Sequence, residues 1–330
     1  MTNIKSFEAE LYNLNEKGFE KIAVQLFHHQ AVHNPVYNAY LKNLDVDPQR
    51  ILTLEDIPFL PISFLKTQAV KTGDWEAETV FRSSGTTGMT TSMHLVRDTS
   101  FYLQNAGRCF EYFFGPVSRY HIFAILPSYI GRADSSLICM MDHFIRESGS
   151  SFSGFYLSDL PRLIDDVRNA QRDKSRKVLI FGVSFALLDL AEQFAPDLSG
   201  CLIFETGGMK GRRAEITRLE LHDVLTRAFN VRSVYSEYGM TELFSQAYTS
   251  GGTRFRTPPW MQVIIREIGD PFMVLLPGKS GGINVVDLAN SSTIAFIETE
   301  DIGVRFDDGT FEVQGRLDNS DVRGCNLLIS

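Results

Sequence analysis

The sequence contains no C-x-x-C pair, no tract of one charge sign and no apolar run approaching the roughly 18 residues that a membrane span requires. Its four cysteines, Cys109, Cys139, Cys201 and Cys325, are scattered and have no companion histidine cluster, which argues against a zinc site and a disulfide framework. The opening stretch MTNIKSFEAELYNLNEKGF lacks the charged-then-apolar layout of a signal peptide. Together these point to the reducing cytoplasm. Positive charge is also short. Lys and Arg number 32 against 40 Asp and Glu, a net charge of −8, so a broad electrostatic grip on nucleic acid or anionic lipid is not expected. Internal repeats and low-complexity tracts are missing as well.

What remains is an ordinary folded composition, 44% hydrophobic and 22% charged over 330 residues, compatible with one large α/β domain and an appendage. The stretch GFEKIAVQLFHHQAVH places Phe19, Ile22, Ala23, Leu26 and Phe27 on one helical face. Pro58 and Pro61 in LEDIPFLPISFLKTQ forbid a continuous helix and predict an extended connection. Helical period returns in DTSFYLQNAGRCFEYFF, with Asp98 or Thr99 as N-cap. Strand and helix patterns then alternate. YHIFAILPS, KVLIFGV, CLIFET and VRSVYSEYG read as strands, while LPRLIDDVRNA, SFALLDLAEQF and RRAEITRLELHDVLTRAF read as helices. This order predicts right-handed crossovers and a mostly parallel, helix-covered sheet. From about residue 254 short β-like runs take over (MQVIIREIG, MVLLPG, GINVVDL, TIAFIETEDIGVRF, TFEVQGRL), predicting an antiparallel β subdomain. The expected division is an α/β core over 1–253 with N-terminal helices over 1–56, a β subdomain over 254–315, and a short tail over 316–330.

Four motifs carry candidate chemistry. In FRSSGTTGMTT, glycines let consecutive N–H groups aim at one anion, and Ser83, Ser84, Thr86 and Thr87 add hydroxyl donors around Gly85 and Gly88. A flexible linker is the alternative, but the stretch is short and lies between structured segments. It reads as a phosphate-binding loop, and not as a Walker loop, since no G-K-[ST] follows. In YSEYGMTEL, a strand delivers Tyr238, Gly239, Thr241 and Glu242 to a sheet edge. Tyr238 could stack on a purine, Thr241 could bind a phosphate oxygen and Glu242 could hold magnesium. A buried tyrosine and a capping glutamate explain the same letters. In IETEDIGVRF, an acidic turn after a strand could receive ribose hydroxyls at Asp301, or be a solvated turn. In GRLDNSDVRG, Arg316 could reach ribose or phosphate, or be a surface arginine.

The order and spacing of the four motifs, with Arg316 about fifteen residues after Asp301, make the chain resemble the adenylate-forming superfamily over roughly residues 57 to 325. Those enzymes join a carboxylic acid to AMP using ATP and magnesium. Within them, FETGGMKG and a chain that stops just after DVRGCN look most like the LuxE-type acyl-protein synthetases. A likeness to phenylacetate-CoA ligase-like enzymes goes with it. The resemblance implies that the mobile C-terminal domain of larger relatives is absent. It implies that Ser83 to Gly88, Thr87 included, surround the ATP phosphates, and that Gly207, Gly208 and the Tyr238–Gly239 region form the adenine slot. Thr241 would contact the α-phosphate, Glu242 would bind magnesium, and Asp301 and Arg316 would hold the ribose. Cys325 would receive the acyl group as a thioester. One departure stands out: the phosphate loop lacks its usual lysine, and Lys210 in the Gly-rich loop GGMKGRR is the candidate replacement, a solvent-facing lysine being the alternative.

The expected activity is therefore ATP-dependent activation of a carboxylic acid, with a fatty acid as the leading candidate, and transfer of the acyl group to Cys325 or to a partner protein such as a reductase or carrier. Coenzyme A or a carrier thiol as acceptor is the second reading. A non-catalytic nucleotide-binding subunit is the third. Acyl chain length and oligomeric state are not legible.

Overall fold

Local punctuation sets most element boundaries. The structure is a computed structural model, and it describes residues 4–14, 16–83, 91–127, 134–157, 159–208 and 216–317. The chain forms two compact units, one of residues 1–74 with 259–330 and one of residues 75–258. Sequence texture divides the chain at 253 and 315, whereas spatial compactness divides it at 74 and 258.

The first unit begins with helices α1 (Ile4–Leu11), α2 (Glu16–His33) and α3 (Pro35–Asn43), then strand β1 (Leu60–Pro61) and the single turn α4 (Phe64–Thr67). Asn34 starts α3 by accepting the Tyr37 N–H, with Pro35 in the first turn where no N–H is needed. The extended connection expected around Pro58 and Pro61 thus holds one short strand and one helical turn.

The second unit carries the α/β pattern. It runs through β2 (Thr79–Arg82), β3 (Met93–Val96), α5 (Thr99–Phe114), β4 (Tyr120–Ile125), α6 (Ser136–Ser148), β5 (Gly154–Phe155) and α7 (Leu160–Ala170). It continues through β6 (Lys177–Val183), α8 (Ser184–Phe194), β7 (Leu202–Thr206), α9 (Arg218–Phe229), β8 (Val234–Tyr238), β9 (Ala247–Thr249) and β10 (Phe255–Arg256). Strands β5, β4, β6, β7 and β8 lie parallel in that order, with β9 and β10 added antiparallel beyond β8. Every residue of β4 is buried, as a strand covered on both faces requires. Caps fix the helices. Asp98 accepts from Phe101 N at the start of α5, and Thr217 with Glu220 forms a capping box on α9. Gly182 lets α8 lie close on β6, because a Cβ there would press on the Leu187 side chain. Phe204 stacks on Tyr235 at 5.1 Å and meets Phe114 at 4.9 Å, which centres the aromatic core on the middle strands.

Returning to the first unit, β11 (Met261–Arg266), β12 (Ser280–Asp287), β13 (Phe296–Arg305) and β14 (Phe311–Arg316) form an antiparallel sheet, and β1 pairs parallel with β13. Gln30 of α2 explains why the N-terminal helices cluster here. Its buried amide donates to Asn290 O at 3.1 Å and accepts from Ala295 N at 3.0 Å, satisfying a buried turn in place of strand partners. The run MVLLPG is not a strand, contrary to expectation. Val274 makes an isolated bridge to Arg266, after which Pro277 and Gly278, at φ +81°, turn the chain back.

Candidate functional site

Strands β2 and β3 pair antiparallel from Thr79–Val96 to Arg82–Met93, so the Ser/Thr/Gly stretch is the connection of a hairpin. At its base, Ser83 N donates to Ser92 O at 3.2 Å, and Ser83 Oγ accepts from Ser92 N at 2.9 Å. Ser84, Gly85, Thr86, Thr87 and Gly88 lie outside the described residues, as do Lys210 and Cys325.

The other end of the constellation comes from β8. Tyr238, the last strand residue, is buried with its ring 5.8 Å from that of Phe255. Gly239 follows, then a turn in which Thr241 is half-buried and Glu242 is buried. The hairpin meets this turn directly. His94 of β3, itself buried, donates from Nδ1 to the Thr241 carbonyl at 2.7 Å and packs its ring 4.9 Å from Phe244. Burial, against that hydrogen bond, lowers the imidazole to about 4, so the ring is neutral and the Nδ1 proton is fixed by its acceptor.

Strand β7 supplies the third part. Gly207 takes φ +70° just past Thr206, and Gly208 follows it. Successive strand residues face opposite sides. In the β7–β8 register Glu205 lies beside Ser236 and Thr206 beside Glu237, which gives two separate networks. On one side Glu205 accepts from Ser184 Oγ at 3.0 Å and pairs with Arg218 Nε at 3.1 Å, while His222 Nε2 stands 3.0 Å from Ser236 Oγ. Burial works to raise Glu205, but His222 and Arg218 hold its carboxyl below the usual range. On the other side the Thr206 hydroxyl donates to Glu237 Oε2. Burial lifts Glu237 to about 7, with the Thr206 bond opposing and the Glu205 charge adding. A Cβ at Gly239 would overlap Glu237 Oε1, so a larger residue there would force this carboxyl to move.

Thus the second unit brings together the hairpin base at Ser83, Thr241 and Glu242, Tyr238 and Gly239, and Gly207 and Gly208. They gather at the carboxyl ends of parallel strands, where open α/β sheets collect ligands. Asp301 and Arg316 belong to the first unit. Asp301 is not on a turn, as expected, but inside β13, because the run Phe296–Arg305 pairs along β12 and β14. It stands opposite Arg316 in the ladder, with Arg316 Nε 4.0 Å from its carboxylate and Nη2 3.3 Å from Glu300. Sequence reading missed His94, Thr206, Glu205 and Glu237. The signal for the two glutamates was present, since each breaks an apolar strand near its carboxyl end. Their partners, on a neighbouring strand and helix, left no trace.

Among the described residues no group of three His, Cys, Asp or Glu gathers as a metal cage, and no helix is long and apolar enough to cross a membrane. Glu242 offers a buried carboxyl, the donor type that magnesium takes when one or two carboxylates hold it and phosphates and water complete the shell.

No protein-family model matches the sequence, and no curated protein matches it. Solved structures do. A 2-hydroxyisobutyryl-CoA ligase in an open conformation, in complex with 2-HIB-AMP and CoA, superposes with a TM-score of 0.67 at 15% identity, over 92% of this chain and 70% of its own. The fold is that of this ligase. ATP-bound MatB from Rhodopseudomonas palustris gives 0.54 at 15% identity, over 72% of this chain and 47% of its own. The luciferase-like enzyme of the nonluminescent mealworm Zophobas morio gives 0.51 at 19% identity, over 75% of this chain and 60% of its own. The match thus spans about half the length of MatB and a larger share of the other two.

Proposed function

We propose that this chain uses ATP to activate a carboxylic acid as its acyl-adenylate. One observation carries the reading: His94, on the hairpin that bears the Ser/Thr/Gly loop, is bonded to the Thr241 carbonyl at 2.7 Å, so the base of that loop adjoins the Tyr-Gly-x-Thr-Glu turn. Neighbours in complex with ATP and with an acyl-AMP support it. In the first step the substrate carboxylate attacks the α-phosphorus and pyrophosphate leaves. The chain's task is positioning and charge stabilisation at the phosphate oxygens. Backbone and hydroxyl donors of Ser83 to Gly88 would cradle the phosphates, Thr241 would contact the α-phosphate, and Glu242 would hold magnesium. Gly207, Gly208, Tyr238 and Gly239 would bound the adenine, and Asp301 and Arg316 would hold the ribose. Lys210 would supply the positive charge that the loop lacks.

For the second step, the likeness to LuxE-type synthetases favours a fatty acid and a cysteine acceptor. The Cys325 thiolate would attack the acyl carbonyl and expel AMP, with a partner protein as onward acceptor. The three described cysteines are free thiols, which fits a cytoplasmic enzyme. A neighbour in complex with CoA favours a second reading, in which a pantetheine thiol takes Cys325's place. Acid-dependent ATP–pyrophosphate exchange across aliphatic and aryl acids tests the first step, and exchange with none of them overturns it. Pantetheine dependence of AMP release separates the two acceptors.

A further inference from the structure

We propose that Glu237 is a positioning residue for the nucleotide, its carboxyl tying the end of β7, and so the Gly207–Gly208 loop, to the Tyr238–Gly239 turn. This rests on the function proposed above, for which both loops bound the adenine. Two contacts and one ladder position define the tie. Thr206, the last residue of β7, donates its hydroxyl to Glu237 Oε2. Oε1 of the same carboxyl lies under Gly239, where a Cβ would overlap it. In the β8–β9 ladder Glu237 stands opposite Tyr248, whose buried hydroxyl has no partner among the described residues. One carboxyl thus touches the last residue before the first loop and the second residue of the next. The β7–β8 register ends at the Thr206–Glu237 pair, and past it Gly207 O also accepts from Ser184 Oγ at 3.3 Å, so the carboxyl is a side-chain link that joins the two strand ends where the ladder stops.

The tie is built for a neutral carboxyl. Its titratable neighbours are Glu205 from β7, Tyr102 from α5 and Tyr248 from β9. Among the described residues no cation pairs with it, since Arg218 and His222 stand against Glu205 on the other face. Ionising Glu237 would put a second buried negative charge near Glu205. Its titration near neutrality therefore links proton loss to nucleotide affinity.

The test uses the full chain, with KM for ATP and kcat in pyrophosphate exchange, and direct ATP binding by calorimetry, over about pH 6 to 8.5. The wild type should lose ATP affinity as pH rises through about 7. Glu237→Gln, which keeps an acceptor for Thr206, should bind ATP well with that inflection gone. Glu237→Ala and the isosteric Thr206→Val should each raise KM for ATP about tenfold or more, the loss of one buried hydrogen bond, with kcat changing less. If wild type exchanges but Thr206→Val keeps its KM, or Glu237→Gln keeps the inflection, the tie is refuted while the activity stands. If wild type neither exchanges nor binds ATP, the functional reading falls and this proposal with it.

Discussion

Glu205, 2% exposed at the end of β7, holds Arg218 of α9 at 3.1 Å, and the Arg218 guanidinium also lies 4.8 Å from the centre of the Phe255 ring. One arginine therefore neutralises a buried carboxylate and covers an aromatic ring. Removing it strands the charge. Arg218→Met should destabilise the second unit by about 3 kcal/mol, the usual cost of breaking a buried pair, tempered because His222 stays beside the carboxylate. Adding Glu205→Gln should restore much of the loss. Urea unfolding of the single and double variants reads this. Additive losses would mean that the pair is not coupled.

His94 and Glu237 give the stability curve two opposing slopes. His94 falls from its ordinary 6.5 to about 4, so its stabilisation is present above 6.5 and is lost as pH falls through about 4. Glu237 rises from 4.5 to about 7, so its contribution is complete below 4.5 and is lost as pH rises through about 7. Between 4.5 and 6.5 the two nearly cancel. Glu237→Gln should unmask a fall in stability on acidification, and His94→Gln a fall on alkalinisation. Each should reach on the order of 3 kcal/mol across its window, at 1.36 kcal/mol per pKa unit. Unfolding midpoints of the three proteins at half-unit pH steps suffice. Parallel curves would refute both assignments.

Much of the second unit was legible because its strands are continuous apolar runs and its helices carry strong periodicity and caps. KVLIFGV is β6, LPRLIDDVRNA is α7, and Asp98 is the N-cap of α5. Helix α6 went unread since SLICMM is too short to tell helix from strand. MVLLPG deceived in the other direction, its Met273 and Leu276 being 54% and 77% exposed on a turn. The motif residues Tyr238 to Glu242 could be placed at a strand end because β8 announces itself. The residues that join motifs to one another could not. The His94–Thr241 bond spans 147 positions and the Gln30–Ala295 bond 265, and neither leaves a periodic signal in the letters.

The Asp301–Arg316 pair makes the ribose assignment testable. If Asp301 accepts a ribose hydroxyl, Asp301→Asn should weaken ATP about 10- to 100-fold, the range for a hydrogen bond to a charged group. The same change should cost 2′,3′-dideoxy-ATP much less. Equal losses for both nucleotides would mean that Asp301 serves only to hold Arg316 and the β13–β14 ladder. Arg316→Ala separates that case, because a purely structural pair would shift unfolding and leave KM for ATP unchanged.

The acceptor assignment can be decided by elimination among thiols. Burial raises Cys201 to about 11, burial also raises Cys139, and Cys109 is fully buried. The thiolate is the nucleophile, and a thiol at 11 is ionised in only about one molecule in several thousand near pH 7.5, so these three compete poorly for an acyl-adenylate. Incubation with a radiolabelled acid, ATP and magnesium should leave a protein-bound label that hydroxylamine releases. Cys325→Ser should abolish that label and keep pyrophosphate exchange intact, because adenylation precedes thiol attack. A label that survives in Cys325→Ser would move the acceptor to another residue. No label in the wild type, with AMP released only when a pantetheine thiol is added, would hand the second step to coenzyme A.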